Sequence, residues 1–429
     1  MASITKRNKS YRVSVSNGRD AFGKQIIETA TFTPDPNKTD KQNQKALEKF
    51  AMEFEDKVKS GKYLDGEKLT FKEFVDIWFN DYGNTHLEQT TIQMYKQLLN
   101  MHIIPEIGHL KLSKILPAHL NKLYNLLNSQ RKDGKPGGYA PKTIKHVHNT
   151  ISGIFASAVK WNIVTDNPCD RVEPPKMVPT RDKLKYFTIE QTSTFLSLLE
   201  KDYTTTCKAH DRVDDTGKSY HVADYSETRS IPTQFRLFFH LALFCGLRRG
   251  ELIALEWSDL DFTNNSVNIT KSTACVNGKP ITKSTKTNSS IRKISVPASV
   301  MTLAKKYRKE QLEYRMTLGS QWQGDNYIFI QWNGCQMHPD TPYKTFKKII
   351  KRHNASVTNE SDKLPDIPLH GLRHTSATLL ISQNVDVKTV SNRLGHAQTS
   401  TTMDIYSHAL KKMDEQAAVV LDDLLTKKA

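Results

Sequence analysis

The side chains with the most chemistry lie in the last sixty positions, as His370-Gly371-Leu372-Arg373, Leu394-Gly395-His396 and then Tyr406. A phenol is a poor nucleophile alone, with a pKa of about 10. Beside fixed cations, its phenolate and an attacked phosphate are both stabilised. The stretch therefore points to chemistry on a phosphodiester. His370 and Arg373 are three apart and share a face at a helix start, where phosphate is attracted. His370 and His374 also have the i, i+4 spacing of a zinc helix. Gly371 stands where the H-E-x-x-H motif needs its glutamate base, which argues against zinc. Tyr406 reads in two ways, as a packing aromatic or as a reactive group beside arginines and His396.

Farther upstream, Cys245-Gly246-Leu247-Arg248-Arg249-Gly250-Glu251 ends an apolar run. Glu251 falls one helical turn after Arg248, where it can orient the guanidinium as a fork for phosphate oxygens. An ordinary surface ion pair is the alternative. Strands are expected at 267–269 and 292–296, with 283–290 as strand end and turn between them. A lysine there, Lys283 or Lys286, is either a solvated loop lysine or a proton donor to a leaving oxygen.

These residues need elements to hold them. The 429 residues suffice for two to four domains, and 37% hydrophobic with 25% charged residues suits a globular protein. The net charge of +17 favours a polyanion, most often nucleic acid. Five scattered cysteines without CxxC spacing read as reduced thiols, neither a disulfide frame nor a metal site. The opening residues carry no secretory-leader pattern and no apolar run is long enough for a bilayer, so a cytoplasmic protein without membrane contact is expected.

Residues 1–66 read as a small α+β unit. Strands are expected at Tyr11-Arg12-Val13-Ser14-Val15 and 25–32, with a helix over 40–59. Lys6, Arg7 and Arg12 make its strands basic, either as a solvated edge or as a DNA-reading sheet. Residues 67–175 read as a four-helix bundle. The first helix opens at Thr70 with a capping box to Glu73, the second starts at Thr90 or Thr91 and closes at Pro105 and Gly108, and Pro117 and Pro141 start the others. Lys142, Lys145, His146 and His148 lie on or near its polar side, as phosphate contacts or as a solvated face. A Pro-rich linker leads to a mixed α/β domain over 176–429, in which 201–230 reads as an inserted surface loop. Asp386 is expected to cap a helix that Gly395 ends, and Ser400 or Thr401 to start the next.

With these residues in hand, the chain resembles the tyrosine recombinase (phage integrase) family. The matching elements are G-L-R-R-G-E (246–251), T-K-T-N-S-S-I-R-K (285–293), H-G-L-R-H-T (370–375), L-G-H (394–396) and the Tyr406 segment. The bundle resembles that family's core-site-binding domain. Residues 1–66 resemble the arm-site-binding domain of phage and conjugative-transposon integrases. The resemblance implies that Tyr406 forms a 3′-phosphotyrosine and that Arg248 and Arg373 clamp the scissile phosphate. It implies that Lys286 protonates the 5′ oxygen, His370 assists proton transfer and His396 hydrogen-bonds the phosphate. It further implies an enzyme independent of metal, cofactor and ATP, working as a homotetramer through a Holliday junction on double-stranded core and arm sites. Excisionase and DNA-bending proteins are the expected partners, and the nucleoid of a bacterial host the expected place. The apolar face of Met413, Ala417, Val420, Leu421 and Leu424 is expected to dock on a neighbouring subunit. A chromosome-resolving recombinase and a non-cleaving DNA-binding protein on the same scaffold are the alternatives.

Overall fold

Alternation at Tyr11, Val13 and Val15 supplies one apolar sheet face, and helical spacing at Leu47, Ala51, Phe54 and Val58 supplies its cover. The resulting sheet is antiparallel in the order β1 (Ser3–Arg7), β2 (Ser10–Arg19), β3 (Gln25–Phe32), with helix α1 (Asp40–Lys59) on one side. Directly paired residues share a face. The pairs Thr5–Arg12 and Arg7–Ser10 therefore put Arg7 and Arg12 on the face away from α1. Lys6, opposite Tyr11, lies on the helix side with its Nζ 6.0 Å from the Tyr11 ring.

The computed structural model describes residues 2–19, 23–59, 68–176, 185–213, 216–284, 290–396, 398–399, 402–403 and 422. The chain divides into two units, Met1–Thr180 and Arg181–Ala429. Besides the small sheet, the first unit holds four principal helices, α2 (Phe71–Trp78), α3 (Gln89–Leu98), α4 (Pro117–Ser129) and α5 (Pro141–Lys160). Thr70 and Glu73 form the expected reciprocal cap of α2, at 3.3 and 2.8 Å. Pro105 does not end the second helix. A wide π turn (Leu99–Ile103) precedes it, because proline lacks the N–H that would continue the ladder, and a short helix runs on to Ile107. Phe71, Trp78, Leu120, Ile151 and Phe155 lie in this unit's second apolar cluster, separate from the one under the small sheet. Lys142, Lys145 and His146 of α5 are exposed. His148 is not on the solvated face, since its Nδ1 lies 2.9 Å from the hydroxyl of the buried Tyr124.

The second unit begins with α6 (Ile189–Glu200). The segment expected to be a loop is instead two strand pairs, β4 (Tyr203–Cys207) with β7 (Tyr225–Arg229) and β5 (His210–Val213) with β6 (Ser219–Val222). Cross-strand pairing holds them, and Tyr203 of β4 packs against the core of this unit. Next come α7 (Thr233–Cys245) and the short α8 (Arg249–Ile253), then β8 (Leu260–Asp261) and β9 (Ser266–Ile269). A hairpin of β10 (Lys271–Val276) and β11 (Lys279–Ser284) precedes β12 (Arg292–Ser295), which pairs antiparallel with β9. Helices α9 (Ala298–Leu318), α10 (Thr341–Ser356), α11 (Gly371–Ser382) and α12 (Val387–Leu394) complete the described unit. Phe187, Phe195, Phe239 and Phe346 interlock in its core with ring centroids 5.3–6.2 Å apart. Buried Gln336 ties the hairpin to this core, donating from Nε2 to Thr273 Oγ1 (2.8 Å) and the Ile253 carbonyl (3.1 Å). Among the described residues no helix is long and apolar enough to cross a membrane.

Candidate active site

Gly246 ends α7 in the left-handed region at φ +62°, which turns the chain so that adjacent arginines diverge. Arg249 points to Asp340 Oδ1 at 2.9 Å. Arg248 points inward, where Glu251 binds it twice. Glu251 Oε2 accepts from the Arg248 backbone N–H (2.9 Å) and Oε1 from Arg248 Nη1 (2.8 Å). The Arg248 side chain keeps 37% exposure, against 2% for Glu251. Burial alone would push the Glu251 carboxyl up. Its hydrogen bonds and ion pairs to Arg292 and Arg248 outweigh that, and hold it below the usual carboxylate range.

Arg373 is 2% exposed in the first turn of α11. It donates from Nη1 to the Gly246 carbonyl (2.7 Å) and from Nη2 to the Leu394 carbonyl (2.6 Å). Arg248 Nη2 takes the next carbonyl along, that of Gly395, at 3.0 Å. Two guanidiniums thus grip consecutive carbonyls of the turn that presents His396. That turn follows α12, which Asp386 caps at Thr389 N (2.9 Å) and Gly395 ends at φ +67°. The His396 Nδ1 meets Thr402 Oγ1 at 2.7 Å, which fixes the ring.

His370 stands at the N-cap of α11, edge-on to His374 with centroids 4.9 Å apart. His370 keeps substantial exposure to solvent. Desolvation, followed by the charges of His374, Arg373 and Arg248, pushes its pKa down to about 4. Desolvation and the charges of Arg373 and Arg248 likewise bring His396 to about 4. Both rings are therefore neutral at pH 7 and sit among arginines, ready to accept a proton or donate through one N–H.

Five of the expected residues, Arg248, Glu251, His370, Arg373 and His396, are thus brought together. Lys286 and Tyr406 lie outside the described residues, as does most of the tail from Met413 to Leu424. Lys6, Arg7, Arg12, Lys142 and Lys145 belong to the first unit and take no part in this cluster. The residue missed from sequence is Arg292, whose side chain is 8% exposed and binds both Glu251 oxygens, at 3.1 and 2.8 Å. A signal for it existed, because the period of two that buries Ile294 and Val296 puts Arg292 on the same inward face.

Paired arginines and neutral histidines gathered at one point suit a class of protein that works on phosphodiesters. Comparison with known proteins narrows that class. The Phage integrase family model matches residues 219–413, and the model "Phage integrase, N-terminal SAM-like domain" matches 70–128. The ICEBs1 integrase of Bacillus subtilis is 27% identical over 418 residues, covering 97% of this chain and 98% of that one. A XerC-like tyrosine recombinase of Caldanaerobacter subterraneus is 27% identical over 427 residues, covering 96% of each. Among solved structures, the Tn1549 transposon integrase in complex with a circular intermediate DNA shares the fold, with a TM-score of 0.59 at 17% identity. It covers 81% of this chain and 99% of that one. A lambda integrase dimer bound to a core site has a TM-score of 0.52 at 17% identity and covers 94% of each. The chain is a tyrosine recombinase resembling phage and transposon integrases. It is a site-specific recombination enzyme of the kind that integrates and excises mobile elements.

Proposed function

We propose that the chain cuts and rejoins double-stranded DNA at attachment sites through a tyrosine-linked intermediate. The Tyr406 phenol oxygen attacks the scissile phosphorus, and the bond from phosphorus to the 5′ oxygen breaks. The phenolic proton passes to His370, and Lys286 gives a proton to the departing 5′ oxygen. Arg248 and Arg373 neutralise the non-bridging oxygens, His396 hydrogen-bonds one of them, and Glu251 orients Arg248. Reversal by a new 5′ hydroxyl rejoins the strand. The phosphodiester's energy is kept in the protein–DNA bond, so no ATP is consumed, and the cations supply the charge stabilisation a metal would otherwise give. The observation that carries this reading is the grip of Arg248 and Arg373 on adjacent carbonyls of the His396 turn, which gathers two cations and two neutral imidazoles at one point.

In this proposal residues 1–66 bind arm sites, 67–175 bind core sites and 176–429 catalyse. Arg7, Arg12, Lys6, Lys142 and Lys145 contact phosphates. Four copies act through a Holliday junction in the bacterial cytoplasm, bound at the nucleoid, with excisionase and DNA-bending proteins setting direction. The tail from Met413 docks on a neighbouring copy. Nicked suicide substrates carrying the host element's core sites test the chemistry on denaturing gels. A covalent adduct that Tyr406→Phe abolishes is expected. No adduct on any such site sinks the reading.

A further inference from the structure

We infer that Arg292 is a positioning residue for strand cleavage, holding Glu251, and through it Arg248, while anchoring the start of the segment that carries His396. This rests on the proposed role of Arg248 at the scissile phosphate.

A buried arginine is costly unless its donors are met. The partners of Arg292 are all in or beside the site. Nη1 donates to Glu251 Oε1 (3.1 Å) and to the Ser290 carbonyl (3.0 Å). Nη2 donates to Glu251 Oε2 (2.8 Å), and Nε to the Arg393 carbonyl (2.9 Å). Ser290 directly follows segment 285–289, which contains Lys286, and Arg393 directly precedes Leu394-Gly395-His396. Gly395 packs against the same guanidinium, since a Cβ there would stand 2.9 Å from Nη1. One side chain at the first position of β12 therefore ties its own strand to two segments distant in the chain, at Glu251 and at Arg393.

The electrostatics give this tie a consequence. Glu251 is buried between two guanidiniums, of which only Arg248 has substantial exposure to meet a substrate. Arg292 offsets the desolvation of the carboxylate, so Arg248 need not be withdrawn to do so. A planar fork meets both carboxylate oxygens at once, and a lysine cannot. Without Arg292 the carboxyl binds a proton more readily, releases Arg248 and loosens the His396 turn.

The test uses the full chain on nicked core-site substrates under single turnover, with DNA affinity measured in parallel. Arg292→Gln is expected to slow adduct formation on the order of 100-fold at saturating DNA, as a misplaced catalytic group does, with affinity changed by less than about threefold. Its rate should recover as pH rises and Glu251 ionises. That recovery should vanish in Glu251→Gln/Arg292→Gln, which should be no slower than the worse single variant. If Arg292→Gln shows no cooperative unfolding transition, Arg292→Lys carries the test. It should cleave more slowly than the parent at normal affinity, and a parent-like rate overturns the inference. So does unimpaired cleavage by folded Arg292→Gln, or a loss that only follows DNA affinity and ignores pH. Arg248→Ala separates the two ideas. If it cleaves normally, the catalytic assignment fails. If it is inactive while Arg292→Gln is unimpaired, only the present inference fails.

Discussion

Glu251 is a carboxylate at 2% exposure between two guanidiniums, so its removal leaves a buried charge unmatched. Breaking such a pair from one side costs about 3–5 kcal/mol. Glu251→Ala should lower the urea midpoint accordingly, and a midpoint within error of the parent would falsify the buried-pair account. The histidines give a pH signature. His370 and His396, near 4 in the fold, fall below the value of about 6.5 for a free imidazole. The unfolded chain then binds more protons between those values. Their contribution to stability is complete above about pH 6.5 and is lost as pH falls toward about 4. A phosphate arriving between them favours the charged rings, so DNA binding near pH 6 should take up protons. Calorimetry in buffers of different ionisation enthalpy reads that uptake directly, and zero net uptake refutes it. The spacing of Arg248, Glu251, His370, Arg373 and His396 was enough to single them out, because each sits in a short motif at a helix end. For Arg292 the strand period reports only that it faces inward, while its role comes from a contact with a residue 41 positions away.

At the scale of elements, helix ends carried the most readable information. The helix expected over 40–59 is α1 (Asp40–Lys59), and Thr70, Pro117, Pro141 and Asp386 mark starts as their chemistry dictates. Strands were harder. All five residues of β1 are exposed, so it has no apolar alternation and exists only by pairing with β2. The β10–β11 hairpin did carry a signal, Asn277-Gly278, whose φ values of +50° and +77° are those of a primed turn. The most consequential turn is the one at Gly395. An alanine there must hold φ +67° and place its Cβ 2.9 Å from Arg292 Nη1. The left-handed conformation alone costs about 1–2 kcal/mol. Gly395→Ala should therefore lower the melting temperature and slow adduct formation by about tenfold or more, while DNA affinity stays near the parent's. Adduct formation at the parent rate would show that the His396 turn tolerates displacement.

At the scale of the whole molecule, charge and core division make separate statements. Residues 1–66 contain thirteen basic and nine acidic side chains, so most of the +17 excess belongs to the remainder. The small sheet and α1 also enclose their own apolar cluster of Val13, Val15, Leu47, Ala51, Phe54 and Val58. An ion pair linking this module to the chain beyond residue 66, Lys68 to Glu28 at 2.7 Å, has a half-exposed lysine and is worth no more than about 1 kcal/mol. Deleting residues 1–66 should therefore leave residues 67–429 folded, with a cooperative transition close to the parent's. Core-site cleavage should persist with nearly the same steep dependence on salt, since that slope counts the phosphates still neutralised. Binding to distal arm sites should fall, and Arg7→Glu/Arg12→Glu should reproduce the loss in the full chain through the sheet face those residues share. Gel-shift titrations of core and arm DNA at several salt concentrations measure both slopes together. Unchanged arm binding in the truncated chain would assign those sites to another part of the molecule. A joint loss of core and arm binding would instead mean that the first module is needed for the bundle to fold.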